Sequence, residues 1–135
     1  MKKKYLLTLL LLATTVIKAQ EIKFEKDKVL VDKIAQYDFV RKNFGDEFTL
    51  YKLNSKDEII YMSRDNNSTK NYLDDDFVRF TFSESGVIIK SRRLKDITWK
   101  SIIKLLIENK VIDFEGNIDE LNLEKFSAKY DDLDS

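Results

Sequence analysis

Residues 78–90, VRFTFSESGVIIK, decide the fold. The first half of this stretch places apolar residues at every second position, with Arg79 and Thr81 between them. A polar run, 83–86, ends in glycine, which readily adopts the positive φ of a tight turn, and a second apolar run begins at Val87. Alternation with a period of two is typical of a strand with one buried face, and so short a connection joins antiparallel strands. The stretch therefore predicts a β-hairpin.

The same patterning extends back from this hairpin to residue 22. β-Branched and aromatic residues alternate with polar ones over residues 22–62, and residues 54–57 form another polar turn. Residues 64–76 break the pattern, and we interpret them as a polar loop of about 12 residues. Residues 22–93 therefore predict an antiparallel sheet of about six strands.

After Asp96 the apolar residues recur at spacings of three and four instead of two. This pattern predicts an amphipathic helix over about residues 97–109, with Asp96 as its N-cap. A second helix is predicted over about residues 120–130, capped by Asp119 or Asn122, and the acidic residues that follow predict a frayed C-terminus. Strands followed by helices indicate an α+β domain in which the helices cover one face or end of the sheet.

Residues 1–19 have the features of a secretory signal. Three lysines follow Met1, an apolar run of about 13 residues comes next, and Ala19 is a small residue at which a signal peptidase would cut. Cleavage after Gln20 is the alternative. A retained membrane anchor is disfavoured because a spanning helix needs about 20 mostly apolar residues. We therefore expect a periplasmic or secreted protein without a membrane span, with a single domain over residues 20–135.

The composition restricts the chemistry of this domain. The chain has 24 basic and 24 acidic residues, but four lysines lie within residues 1–19, so the exported part has 20 basic residues and a formal charge of −4. A mildly acidic domain is a poor candidate for binding nucleic acid. The absence of histidine and cysteine excludes Ser-His-Asp and Cys-His catalysis, disulfides and thiolate metal sites. We expect no cofactor.

Residues 113–124 share some features with a calcium-binding EF-hand loop. Asp113, Glu115, Asn117 and Glu124 occupy loop positions 1, 3, 5 and 12, where oxygen ligands are required. Position 6 carries isoleucine instead of the glycine that makes the sharp turn. The alternative is a polar connection that caps the second helix.

A basic cluster lies between the last predicted strand and the first helix. It consists of Lys90, Arg92, Arg93 and Lys95 and has the charge to bind an anionic glycan or lipid head groups. The alternative, which we favour, is an exposed end strand protected by its charges.

Three tyrosines, Tyr51, Tyr61 and Tyr72, are candidates for a sugar-binding surface, because aromatic faces stack on the apolar faces of sugar rings. Strand aromatics also serve as core residues or cross-strand pairs, and this is the alternative here.

Two weaker patterns concern catalysis. The run of aspartates at 74–76 contains carboxylates for acid–base chemistry, but three consecutive side chains do not point into one cleft in regular backbone, and a solvated charge run is the simpler interpretation. Ser101 and Lys104 match the S-x-x-K pattern of acyl-serine enzymes, although its companion motifs are missing.

The signal ending in Lys-Ala-Gln, the opening segment 22–32 and the closing segment 111–126 together resemble small exported proteins of Bacteroidetes. The resemblance implies a periplasmic or secreted location in a double-membrane bacterium, and it transfers no catalytic residue.

These observations favour a non-catalytic binding or interaction protein of the cell envelope, with an envelope protein or glycan as partner. A carbohydrate- or small-ligand-binding module is the alternative, and a carboxylate-based hydrolase is a third hypothesis.

Overall fold

Seven strands form one antiparallel sheet in which each strand pairs with the next along the chain, and two helices follow. The computed structural model describes residues 20–65 and 76–133. The strands are β1 Ile22–Glu25, β2 Lys28–Val31, β3 Ile34–Lys42, β4 Glu47–Lys52, β5 Glu58–Asp65, β6 Phe77–Phe82 and β7 Ile88–Ser91, and the helices are α1 Trp99–Glu108 and α2 Glu120–Tyr130. The α+β prediction is confirmed, with seven strands where the sequence predicts about six.

One face of the sheet carries the core. Phe48, Met62, Phe80 and Ile89 lie opposite one another on β4 to β7 and form a buried row across the sheet. A second buried row runs parallel to it and consists of Leu50, Ile60 and Phe82. Burial of side chains this large contributes about 2 kcal/mol each, so these rows are the main support of the sheet.

The two helices pack onto this core face. Apolar side chains on one side of each helix join the same cluster, and the ring of Phe126 meets that of Phe80 edge-on at 6.3 Å. The buried helix residues are Ile102, Ile103, Leu106, Ile107, Leu123, Phe126 and Tyr130. Within the described part of the chain, no helix is long and apolar enough to cross a membrane.

The helix caps differ in part from those that the sequence predicts. Asp119 caps α2 by accepting a hydrogen bond from the backbone N–H of Asn122 at 2.9 Å, as predicted. The cap of α1 is Thr98 and not Asp96, because residues 92–97 form turns before the helix begins. The guanidinium of Arg64 holds these turns by donating to the carbonyls of Lys95 and Ile97.

The C-terminal tail lies along the outer edge of β7. The carboxylate of Asp131 accepts from the N–H of Lys90 at 3.0 Å, and that of Asp132 accepts from the N–H of Arg92 at 2.7 Å. The N–H groups of Asp132 and Leu133 both donate to the carbonyl of Lys90. Where composition predicts a frayed end, the structure places residues 131–133 in hydrogen bonds that satisfy the edge of the sheet.

Candidate binding surfaces

A row of five residues crosses the face of the sheet opposite the helices. Val40, Thr49, Tyr61, Thr81 and Ile88 lie opposite one another on β3 to β7, and we call them the open-face row. The ends of the row are exposed, Val40 by 46% and Ile88 by 51%. With strands about 4.8 Å apart, the row is about 19 Å long. It is an apolar and hydroxyl-bearing strip of a size suited to contact with another molecule.

The structure brings two of the predicted sugar-binding tyrosines onto this face. Tyr61 is at the centre of the open-face row, and its hydroxyl donates to Glu47 at 2.8 Å. That hydrogen bond is the main reason that the pKa of Tyr61 is raised above its ordinary value. Tyr51 lies opposite Asp38 and Glu58 beside a depression of about 640 Å³. Tyr72 lies outside the described residues.

The basic cluster is tied to the protein's own C-terminal segment. The backbone N–H groups of Lys90, Arg92 and Arg93 donate to the carboxylates of residues 131 and 132, and the Arg93 guanidinium donates to the carbonyl of Lys129 at 3.0 Å. Lys95 is held through its carbonyl, which accepts from Arg64. These contacts give the segment a structural role at the sheet edge.

The 113–124 segment forms a closed turn. Oδ1 of Asp113 accepts from the N–H groups of Glu115 and Asn117 at 2.9 and 2.8 Å, and the side chain of Asn117 accepts from Nζ of Lys52 at 3.3 Å. Glu124 is exposed on α2. Within residues 20–65 and 76–133, no three or more acidic side chains are grouped to hold a metal ion. Residues 113–119 connect α1 and α2 through this turn.

The side chain of Tyr37 holds this turn in place. Its ring is fully buried, and its hydroxyl donates to the carbonyl of Asp113 at 2.6 Å. Burial raises the pKa of Tyr37 well above its ordinary value, and the charge of Asp113 acts in the same direction.

The raised pKa of Tyr37 predicts a loss of stability at high pH. Because the folded state holds this proton more tightly than the unfolded state, the stabilisation is complete below about pH 10 and decreases as the pH rises further. The Tyr37→Phe variant is expected to lose about 1 kcal/mol at pH 8 from the missing hydrogen bond. Between pH 10 and pH 11 its stability should then fall by about 1 kcal/mol less than that of the wild type, because Tyr37 of the unfolded wild type loses its proton over this range. Urea unfolding of the wild type and the variant at each pH measures the loss at pH 8 and the fall in stability above pH 10. Parallel pH dependences in the two proteins would contradict the raised pKa of Tyr37.

Carboxylates also surround a cavity of about 400 Å³ at one end of β5 and β6. Asp46, Asp65 and Asp76 line it together with Arg64 and Lys95. Asp46 pairs with Arg64 at 3.6 Å, and Asp65 pairs with Arg79 at 3.4 Å. Asp74 and Asp75 of the acidic run lie outside the described residues. Two of the three carboxylates in this cavity are therefore neutralised by arginines.

A further cluster, which the sequence did not predict as a site, lies at the end of the sheet where β3 meets α1. The ring of Trp99 contacts Phe24 and Phe39 with centroid separations of 5.3 and 5.2 Å. The guanidinium of Arg41 lies 5.2 Å from the centroid of the Trp99 ring, and Nζ of Lys100 lies 5.6 Å from it. Two cations therefore flank one half-buried tryptophan.

The turn between β3 and β4 stands beside this tryptophan. Phe44 has φ 59° and ψ 29°, Gly45 has φ 93°, and the N–H of Asp46 donates to the carbonyl of Asn43 at 3.1 Å. The φ values of Phe44 and Gly45 and this hydrogen bond match a type I′ turn, and Asn43 before them also has a positive φ of 54°. Phe44 is fully exposed at its tip.

This turn and the start of α1 line a cleft of about 500 Å³, which we call the Phe44–Trp99 cleft. Its remaining lining residues are Arg41, Gly45, Asp46, Arg64, Thr98 and Lys100. The sequence contains one local signal of the cleft, an aromatic residue in the run Lys-Asn-Phe-Gly-Asp, where turns usually carry only small polar residues. The partner, Trp99, is too distant in sequence for any periodicity to reveal the pairing.

The fold and these surfaces define an α+β domain with one face of its sheet covered by helices and the other open. Comparison with known proteins finds no matching family model, curated protein or solved structure.

Proposed function

We propose that this chain is an exported, non-catalytic binding protein of the cell envelope whose partner docks on the open-face row. The observation that carries the proposal is the row itself, a strip that crosses five strands and ends in the exposed side chains of Val40 and Ile88. Antiparallel sheets commonly cover one face with helices and expose polar residues on the other. Valine, isoleucine and tyrosine in that position support contact with a protein partner.

The polar neighbours of the row support a specific contact. The adjoining row on the same strands contains three basic residues, one acidic residue and one serine: Lys42, Glu47, Ser63, Arg79 and Lys90. An apolar strip bordered by charged residues is the usual arrangement of a protein interface, in which the centre excludes water and the rim sets orientation.

Recovery of partners from envelope extracts tests this proposal. The chain from Gln20 to Ser135, which contains all the described strands and helices, is immobilised alongside the variants Ile88→Glu and Leu121→Glu. Leu121 is a matched control because it is 62% exposed on α2, which packs on the opposite face. We expect one protein to be enriched by the wild type and by Leu121→Glu and to be lost with Ile88→Glu. Equal enrichment by all three proteins would refute the proposed surface.

A second candidate function is a carbohydrate- or small-ligand-binding module. The depression beside Tyr51 favours it, because Asp27, Asp38, Lys56 and Glu58 bring hydrogen-bonding groups to one aromatic side chain. Thermal denaturation with neutral oligosaccharides tests this function. A ligand present at 100 times its dissociation constant stabilises a protein by about 2.7 kcal/mol. The stabilisation should persist in Tyr51→Phe and disappear in Tyr51→Ala, and its absence from the wild type would exclude the module.

A further inference from the structure

We propose that the Phe44–Trp99 cleft binds an acidic sugar, meaning a carbohydrate that carries carboxylate or sulfate groups. This site lies at the end of the sheet and is separate from the open-face row, so it does not depend on the proposed protein partner.

The backbone of the turn is the first argument. The first central position of a type I′ turn requires positive φ and normally holds asparagine, aspartate or glycine. Phenylalanine is disfavoured there because its Cβ crowds the backbone in the left-handed region. Phe44 adopts φ 59° while its ring is fully exposed, so packing within the described residues does not offset the strain. A strained, exposed aromatic residue indicates contact with another molecule.

Charge is the second argument. Arg41 and Lys100 line the cleft, Lys42 precedes the turn, and none of the three forms an ion pair with a described residue. The carboxylate in the cleft, that of Asp46, already pairs with Arg64. The cleft therefore has an excess of positive charge in a domain that is acidic overall, and it is complementary to an anion.

The combination of groups selects the ligand class. The exposed ring of Phe44 offers an apolar face on which the C–H face of a sugar ring can stack, and Arg41 can form two hydrogen bonds to one carboxylate or sulfate. Lys100 adds a point charge, since its Nζ lies 5.6 Å from the centroid of the Trp99 ring and 5.9 Å from that of Phe24. A lipid surface fits less well, because stable membrane attachment requires more apolar area than one exposed ring.

Trp99 is the single tryptophan of the chain, so its fluorescence reports on this cleft alone. The chain from Gln20 to Ser135 is titrated with trigalacturonic acid, with a heparin tetrasaccharide and with neutral cellotriose. We expect a saturable change with one or both acidic sugars, weakening as salt is raised, and at least about tenfold weaker binding of cellotriose. A response to trigalacturonic acid shows that carboxylates suffice, and a response to heparin alone, which carries carboxylates as well as sulfates, identifies sulfate as the required group.

Three variants separate binding from folding. Phe44→Asn places a preferred residue in the turn, so it should raise the melting temperature by about 4 °C while weakening binding about fivefold. Arg41→Gln with Lys100→Gln should weaken binding at least about tenfold. Lys33→Gln with Lys110→Gln removes the same charge from exposed turns away from the cleft, one after β2 and one after the last residue of α1, and should leave binding unchanged.

Three results would overturn the proposal. The first is a fluorescence response to cellotriose equal to that of the acidic sugars, or no response to any of them. The second is unchanged affinity in Phe44→Asn or in the double variant at the cleft. The third is binding to vesicles of anionic phospholipid, without binding of either acidic oligosaccharide, which would assign the cleft to a membrane surface.

Discussion

Replacing Phe80 by alanine is expected to lower the free energy of unfolding by about 4 kcal/mol. Phe80 is completely buried between Met62 on β5 and Ile89 on β7, and its ring meets that of Phe126 on α2. The substitution removes contacts with both neighbouring strands and with the helix layer. The substitution leaves a cavity. Because β6 is hydrogen-bonded to a strand on each side, the sheet cannot collapse to fill that cavity.

Urea unfolding followed by circular dichroism measures this loss. Phe114→Ala is the control, because Phe114 is 48% exposed on the connection between the helices and its truncation should cost less than about 1 kcal/mol. If Phe80→Ala lowers the free energy of unfolding no more than Phe114→Ala does, then Phe80 does not hold the sheet and the helices together in the way that the structure shows.

The second large effect is expected at Gly45, where alanine should cost about 3 kcal/mol. Gly45 is buried with φ 93°, a value that side chains rarely adopt. A Cβ there would also lie 2.9 Å from Nε1 of Trp99 and even closer to the neighbouring ring carbon. Both the backbone strain and the overlap with a packed indole therefore oppose the substitution.

Gly86→Ala separates these two causes. Gly86 has φ 72°, but nothing lies within 4 Å of a Cβ placed on it, so alanine there should cost only about 1 kcal/mol from the backbone. Chemical unfolding gives both losses, and the emission of Trp99 should shift in Gly45→Ala alone. Equal losses of unfolding free energy in Gly45→Ala and Gly86→Ala would show that overlap with Trp99 does not contribute to the cost at Gly45.

The sheet could be predicted because short sequence patterns specify each strand and consecutive strands pair with each other. The hairpin proposed from residues 78–90 is present as β6 and β7. The alternation over residues 22–62 corresponds in β4 to buried Phe48 and Leu50, with Thr49 and Tyr51 on the other face. Alternation determines which side chains share a face, and each strand has only its sequence neighbours as partners.

Features that depend on distant contacts could not be predicted in this way. The start of α1 is displaced from Asp96 to Thr98 by Arg64, which lies on β5. The hydrogen bond from Tyr37 to Asp113 joins residues 76 positions apart. The Phe44–Trp99 cleft likewise arises from packing of two segments whose patterns are independent of each other, so the spacing of residues does not reveal the pairing, and the aromatic residue within the turn is the one local signal of it.

The hydrogen bonds between the C-terminal tail and β7 have a consequence for the order of events during synthesis. A ribosome makes Lys90 and Arg92 about 40 residues before Asp131 and Asp132, at about 5–20 residues per second. For those few seconds the outer edge of β7 has no partner from the tail, and unpaired strand edges are the sites at which chains associate wrongly. Residues that are translated well after β7 therefore complete the protection of its edge against aggregation.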